Sequence, residues 1–217
     1  MTWKTRRQAV FALGTAQTLA WASSYYLPAI LALPIARALE LSPVWVFGAF
    51  SIALIVSGFL GPAVGRRIDA RGGRDVLCAS NLLLALGLVL LAAAQGPVSL
   101  IVAWLVLGAG MSMGLYEPAF ATLTGLYGAD ARRSITHITL IAGFASTVGW
   151  PISTALELQF GWRGACIAWA LAHLAIGLPL NWALPRPQRA AAPPAGTGID
   201  APAADGDGAT PARATML

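Results

Sequence analysis

The sequence predicts an all-α membrane protein with six spanning helices. Hydrophobic residues make up 57% of the chain and charged residues only 11%, whereas soluble proteins carry about 45–50% apolar and about 25% charged residues. The apolar residues form runs long enough to cross a bilayer, which needs about 20 residues for about 30 Å of hydrocarbon. Because backbone groups in lipid must hydrogen-bond internally, such runs form helices. The alternating pattern of a membrane barrel is not visible.

Short segments containing Gly, Pro or charged residues separate the six runs. We expect helices at about 9–36, 44–64, 76–95, 98–126, 135–156 and 165–184. They make residues 1–185 a single transmembrane domain. Residues 186–217 are rich in Ala, Pro, Gly and Asp with almost no large apolar side chains, which predicts a disordered cytoplasmic tail.

The basic residues predict an orientation. Of the 14 Lys and Arg residues, only Arg37 and Arg163 fall on one side of the predicted spans. The other side should be cytoplasmic by the positive-inside rule, which places both termini there and requires an even number of spans. We therefore expect a multi-pass protein of the plasma (inner) membrane. Although the net charge is +5, the basic residues form no continuous face, so no nucleic-acid partner is expected.

The two cysteines argue against a metal protein and against a disulfide-stabilised one. Cys78 and Cys166 stand alone in apolar runs, and two isolated cysteines make neither a disulfide framework nor a metal site. We expect no cofactor, no metal and no catalytic residues.

Glu117 is the only acidic residue deep inside a predicted span. An acidic group in the membrane is costly and is by default a functional-site hypothesis. A carboxyl there can exchange a proton and so couple transport to a proton gradient. In the other interpretation, Glu117 is an interfacial carboxylate that pairs with a loop arginine, and Pro118 merely distorts the helix after it.

A stripe of polar and aromatic residues in helix 1 predicts a cavity for an amphipathic or aromatic solute, because its spacing puts the side chains on one helical face. Interhelical hydrogen bonding is the alternative for Gln17 and Ser24. In helix 5, Gly149 and Pro151 predict a hinge, or only a tolerated kink. The predicted cavity-lining residues are Gln17, Trp21, Ser24, Tyr25, Tyr116, Thr147 and Trp150.

Residues 65–75 form a glycine-bearing segment with six charges in eleven positions. Gly65, Asp69, Gly72 and Arg74 give the spacing Gly-x3-Asp-x2-Gly-x-Arg. This spacing resembles the loop between helices 2 and 3 of the major facilitator superfamily of secondary transporters, although Gly73 stands where that family often has Arg. The loop gates the cytoplasmic side in the family. The resemblance thus implies a gating role for Asp69 and Arg74, with a purely topogenic role as the alternative.

The resemblance covers about residues 5–185 and implies one six-helix half of such a transporter, built as a 3+3 inverted repeat. It implies alternating access, with helices 1, 2, 4 and 5 lining the cavity and helices 3 and 6 facing outward. The aromatic stripe of helix 1 favours a small organic or amphipathic solute over a metal ion. Gly143, Gly149 and Pro151 echo a motif of drug antiporters, which favours export. Trp104 replaces an Arg that proton-coupled members often carry. The implied partners are the lipid bilayer, a small-molecule substrate, and a homodimer or a separate second half.

Two other interpretations stay open. The chain could be an inactive truncated transporter or a membrane scaffold. It also shares six spans and a Ser112/His173 pair with rhomboid-like intramembrane serine proteases, in which a neighbouring base activates a serine nucleophile. Ser112, however, is followed by Met113, whereas the rhomboid nucleophile is followed directly by Gly.

Overall fold

The structure, a computed structural model, describes residues 5–185, and all regular secondary structure in that range is helical. A 3-10 turn at Gly128–Asp130 joins α6 to α7, and a π-helical turn at His173–Gly177 joins α8 to α9. The predicted tail lies outside the described residues. The helices are α1 (Arg6–Ser23), α2 (Pro28–Ala38), α3 (Pro43–Arg71), α4 (Arg74–Ala92), α5 (Pro97–Gly114), α6 (Tyr116–Tyr127), α7 (Ala131–Ala142), α8 (Ala145–Ala172) and α9 (Leu178–Trp182).

Four helical stretches in the described part of the chain are long and apolar enough to cross a membrane: Arg6–Ala38, Pro43–Arg71, Arg74–Ala92 and Pro97–Trp182. The last has 86 residues. As one straight helix it would extend about 130 Å at 1.5 Å per residue, about four times the thickness of a hydrocarbon core. It must therefore fold back on itself.

The first reversal lies at Gly128–Asp130. Arg6, at the start of α1, bonds Ser134, and Thr18 further along α1 bonds the Ile141 carbonyl, so α1 and α7 run in the same direction. The Arg6 guanidinium also lies over the ring of Tyr127 at the end of α6. Residues later in α1 contact residues earlier in the α5–α6 segment. The α5–α6 segment is thus antiparallel to α1, and hence to α7.

The second reversal lies at Gly161, whose φ is +69°. Trp169 Nε1 donates to Ser153 Oγ over 3.0 Å, although the 16 intervening residue steps would separate them by about 24 Å in a straight helix. The positive φ at Gly161 is easy for glycine and unfavourable for other residues. The long stretch therefore consists of three segments, at 97–127, 131–160 and 162–182.

Glycines allow close packing between neighbouring segments. A Cβ on Gly108 of α5 would lie 2.5 Å from the Ala53 carbonyl oxygen of α3, and one on Gly87 of α4 would lie 2.7 Å from Leu107 Cγ of α5. Small residues at helix contacts are typical of membrane bundles. In contrast, much of α3 faces away from the other described segments: Val44 and Phe59 are 74% and 83% exposed.

Several predicted helices are interrupted. Helix 1, predicted as continuous over 9–36, breaks at residues 24–27, because Pro28 has no N–H to pair with the Ser24 carbonyl and its ring crowds that carbonyl. Helix 4, predicted over 98–126, breaks at Leu115, whose ψ is −158°. Helix 5 begins earlier than predicted, at Ala131, and breaks at Gly143 and Phe144.

The prediction of a loop over 65–75 was wrong. Helix α3 continues to Arg71 and α4 begins at Arg74, so only Gly72 and Gly73 form the turn. Gly72 has a φ of +81°, a conformation that favours glycine. Gly65 and Asp69 therefore lie within α3, where no loop flexibility is available to them.

Candidate functional site

The break between α1 and α2 lies close to the break between α5 and α6, because the ring of Trp21 lies against both Tyr26 and Tyr116. In a regular helix the Gly114 carbonyl would accept a hydrogen bond from the backbone nitrogen of residue 118, but Pro118 has no N–H. Gln17 Nε2 donates to this carbonyl instead, over 2.6 Å in a buried setting. A side chain of α1 thus satisfies a backbone group that the proline leaves unpaired, and it joins α1 to the break between α5 and α6.

An aromatic cluster surrounds this junction, with neighbouring ring centroids 4.7 to 6.3 Å apart. Trp21 is central and lies 4.7 Å from Tyr116. Tyr25 and Trp150 are 40% and 44% exposed, whereas Trp104 is fully buried. The cluster is therefore a partly exposed aromatic surface anchored in the core. Its members are Trp21, Tyr25, Tyr26, Phe50, Trp104, Tyr116, Phe120 and Trp150.

The structure brings together four of the predicted cavity-lining residues, namely Trp21, Tyr25, Tyr116 and Trp150. Gln17 and Ser24 do not line an open cavity in this structure, since both are buried. Ser24 Oγ donates to the Ala20 carbonyl of α1. Thr147 is exposed and lines a shallow groove along α8 together with Trp150.

The sequence reasoning missed Tyr26, Phe50, Trp104 and Phe120. One signal was available for Tyr26. The order Tyr-x-Pro occurs at residues 26–28 and again at residues 116–118. Each copy follows a helix of 18 residues, α1 in one case and α5 in the other, and coincides with the helix break. The repeat would have paired Tyr26 with Tyr116.

Glu117 lies in the first turn of α6 and is exposed. The positive end of the helix dipole favours a carboxylate at this position. Glu117 lines a cavity of about 420 Å³ between α6 and α3, so the structure brings the proton-coupling candidate next to Gly65 of the predicted gating set. The cavity is also lined by Ser57, Gly58, Gly61, Val64, Ile68, Ser112, Pro118 and Ala121.

The predicted gating residues do not form one cluster. Asp69 is exposed, and no ion pair of its carboxylate is found within residues 5–185. The guanidinium of Arg74 lies 4.6 Å from the centre of the Trp182 ring. Gly73 packs against α6 so closely that a Cβ would collide with Thr122 Oγ1. This contact explains why the Arg that the family often carries at this position would not fit here.

The predicted hinge residues lie inside a continuous stretch of α8. Gly149 packs against α1, where an added Cβ would lie 2.6 Å from Ala22 Cβ. The nearest interruptions of this segment are at Gly143 with Phe144, and at Gly161. A hinge at Gly149 and Pro151 stays a prediction.

The Ser112/His173 pair of the protease interpretation is not formed. His173 is buried, with its Nε2 2.7 Å from Ser23 Oγ and its Nδ1 3.0 Å from Asn81 Oδ1. Ser112 Oγ donates to the Ala109 carbonyl within its own helix. His173 therefore joins α1, α4 and the π-helical turn, and it has no nitrogen left to activate Ser112.

A sequence profile of the Major Facilitator Superfamily matches residues 13–210 of the chain. The chain belongs to the Major Facilitator Superfamily. The resemblance inferred from residues 65–75 is thereby confirmed, and the chain is a multi-pass membrane protein. Members of this superfamily are generally transporters of small molecules and not enzymes.

One curated protein with similar sequence is the "Uncharacterized 38 kDa protein in 23S RNA operon" of Thermoproteus tenax. It is 32% identical over 152 residues, which are 70% of this superfamily member and 40% of the relative. The chain therefore matches well under half of the length of this relative.

Proposed function

We propose that the chain is a secondary active transporter that moves a small organic or amphipathic solute by alternating access, with export as the favoured direction. The aromatic cluster at the junction of two broken helices carries this proposal. Discontinuous helices near the bilayer midplane are where secondary transporters bind their substrates. Aromatic side chains with a few polar groups are the usual lining of small-molecule sites.

The proposed topology has six crossings of the plasma (inner) membrane, with both termini in the cytoplasm. The reversals at Gly128–Asp130 and Gly161 support six segments. The exposed Arg66, Arg67 and Arg71 at the end of α3 support the orientation. The exposed face of α3 supports a further proposal, that a second half or a second copy of the chain completes the central cavity.

Glu117 is the proposed proton-coupling residue. Its exposure to the α3–α6 cavity lets a proton reach it, and the turn at Gly72 and Gly73 contacts the same helix α6 at Thr122. A change of charge at Glu117 would therefore act on the helix that supports the turn. The proposed gating role of Asp69 and Arg74 rests on this proximity of the turn to α6.

The test is solute flux into proteoliposomes that contain the full chain, under an imposed pH gradient. Radiolabelled cationic, anionic and uncharged aromatic solutes are compared with protein-free liposomes. We expect at least one solute to move with the protein and to respond to the gradient. Glu117→Gln should remove the response to the gradient while the protein still inserts and folds, whereas the matched control Glu157→Gln should keep it.

Two results would count against parts of this proposal. Flux that responds equally to the gradient in wild type and Glu117→Gln would remove Glu117 from the mechanism. An absence of flux for every solute would favour the inactive or scaffold interpretation for this chain on its own.

A further inference from the structure

Two buried polar atoms of α1 have no hydrogen-bond partner in the described part of the chain: Gln17 Oε1 and Trp21 Nε1. Gln17 is only 1% exposed. Its Nε2 is held by the Gly114 carbonyl, so its Oε1 is fixed as a free acceptor. Buried polar groups in native proteins are nearly always paired, and an exception requires an explanation.

Both atoms lie at the junction of the two broken helices. Gln17 and Trp21 are one turn apart and on the same face of α1. The first contacts Gly114, immediately before the break at Leu115, and the ring of the second lies against Tyr116, immediately after it. The two side chains that carry the free acceptor and the free donor thus both contact the place where α5 ends and α6 begins.

The surroundings determine which chemical group would fit. The aromatic cluster contains no Asp, Glu, Lys or Arg, and the neighbouring Glu117 lines the separate cavity against α3. A carboxylate has only acceptors and an ammonium only donors, so each would leave one of the two free atoms unpaired, although an ammonium could also lie against the ring faces. An uncharged group that both donates and accepts a hydrogen bond satisfies both free atoms. A hydroxyl or a primary amide has this property.

We propose that Gln17 and Trp21 bind the polar group of an uncharged, hydroxyl- or amide-bearing organic solute. Trp21 Nε1–H donates to the oxygen of the solute, and Gln17 Oε1 accepts its O–H or N–H. The apolar body of the solute lies on the exposed rings of Tyr25 and Trp150. Both polar atoms are closed to water in this structure, so the solute reaches them only after the side chains around them move. This inference names the substrate class of the proposed transporter and rests on that function.

The test measures binding, and therefore does not depend on transport. Full-length protein in nanodiscs is incubated with tritiated 3-phenyl-1-propanol, with empty nanodiscs as the background. Competitors with the same phenylpropyl body are 3-phenylpropanamide, propylbenzene, 3-phenylpropylamine and 3-phenylpropanoate. We expect the alcohol and the amide to bind about fivefold more tightly than the amine and the carboxylate, which can each pair one of the two atoms, and about thirtyfold more tightly than propylbenzene, which pairs neither, at about 1 kcal/mol for each neutral hydrogen bond.

Trp21→Phe keeps an aromatic ring and removes the N–H, so it should reduce the preference for the alcohol over propylbenzene about fivefold and leave the part that Gln17 contributes. Trp45→Phe is the matched control, because it removes an indole N–H at a partly exposed position outside the aromatic cluster, and it should keep the preference. The wild-type ranking tests the proposal even if a variant fails to fold.

Tighter binding of the amine or the carboxylate, no saturable binding of any compound, or an equal loss in both variants would overturn the proposal. The flux experiment separates it from the proposed function. A preserved preference without flux would contradict transport alone, whereas flux without the preference would contradict the assignment of Gln17 and Trp21 alone.

Discussion

Replacement of Gln17 by Leu tests how the broken helix of the α5–α6 segment is stabilised. The substitution keeps the size of the side chain and removes the donor to the Gly114 carbonyl, which would then be buried without a partner. An orphaned buried group costs about 1–3 kcal/mol, and hydrogen bonds in membrane proteins average about 0.6 kcal/mol. The loss of the unpaired Gln17 Oε1 offsets part of this cost. We expect the free energy of unfolding to fall by about 1 kcal/mol.

A double-mutant cycle with Pro118→Ala isolates the cause. The alanine restores a backbone N–H at the position that a regular helix uses to pair the Gly114 carbonyl. In that background Gln17→Leu should cost about 0.5–1 kcal/mol less, a coupling in the range seen for residues that share a partner.

The assay is equilibrium unfolding by dodecyl sulfate in mixed micelles, followed by circular dichroism. Gln159→Leu is the control, because Gln159 is exposed and an exposed substitution changes stability by less than about 0.5 kcal/mol. Strictly additive effects of Gln17→Leu and Pro118→Ala would refute the idea that Gln17 replaces the missing N–H.

Three further predictions follow from other contacts. Gly73→Ala should lower the stability by about 1–3 kcal/mol in the same unfolding assay, because the new Cβ meets Thr122 Oγ1; Thr122→Ala should recover part of the loss, and no recovery would contradict the contact. His173→Leu should cost about 2 kcal/mol, because it leaves the buried Asn81 Oδ1 unpaired; unchanged unfolding would show that the contact contributes nothing. Asp69→Asn should slow solute flux severalfold with unchanged binding of the solute, and wild-type rates would reduce the charge to a topology signal.

The sequence was sufficient for the parts of the fold that depend on local composition. Apolar runs and breakers locate the helical stretches, because a bilayer requires both a minimum length and internal hydrogen bonding. The sequence also singled out Trp21, Tyr25, Tyr116 and Trp150, which are large aromatic residues at helical spacing. Their assembly into one cluster could not be predicted, since it depends on contacts between distant segments.

The end of α3 and the break at Leu115 could not be predicted from the spacing of apolar residues. Glycine and charge are typical of loops, so residues 65–75 indicated a loop, whereas α3 stays helical to Arg71 and leaves a turn of two glycines. The break at Leu115 follows from Pro118 together with Gln17, whose contribution comes from another segment. Sequence alone showed only the proline.

Accessibility of the aromatic cluster from both sides of the membrane tests the central claim of alternating access most directly. In a Tyr25→Cys variant of the full chain, the native Cys78 and Cys166 are buried and give little background. Right-side-out and inside-out vesicles are treated with a membrane-impermeant maleimide. A Leu86→Cys variant, at an exposed position of α4, is the lipid-facing control. The account predicts labelling of Cys at position 25 from both sides and no labelling at position 86. Labelling from one side only, or from neither, would contradict it.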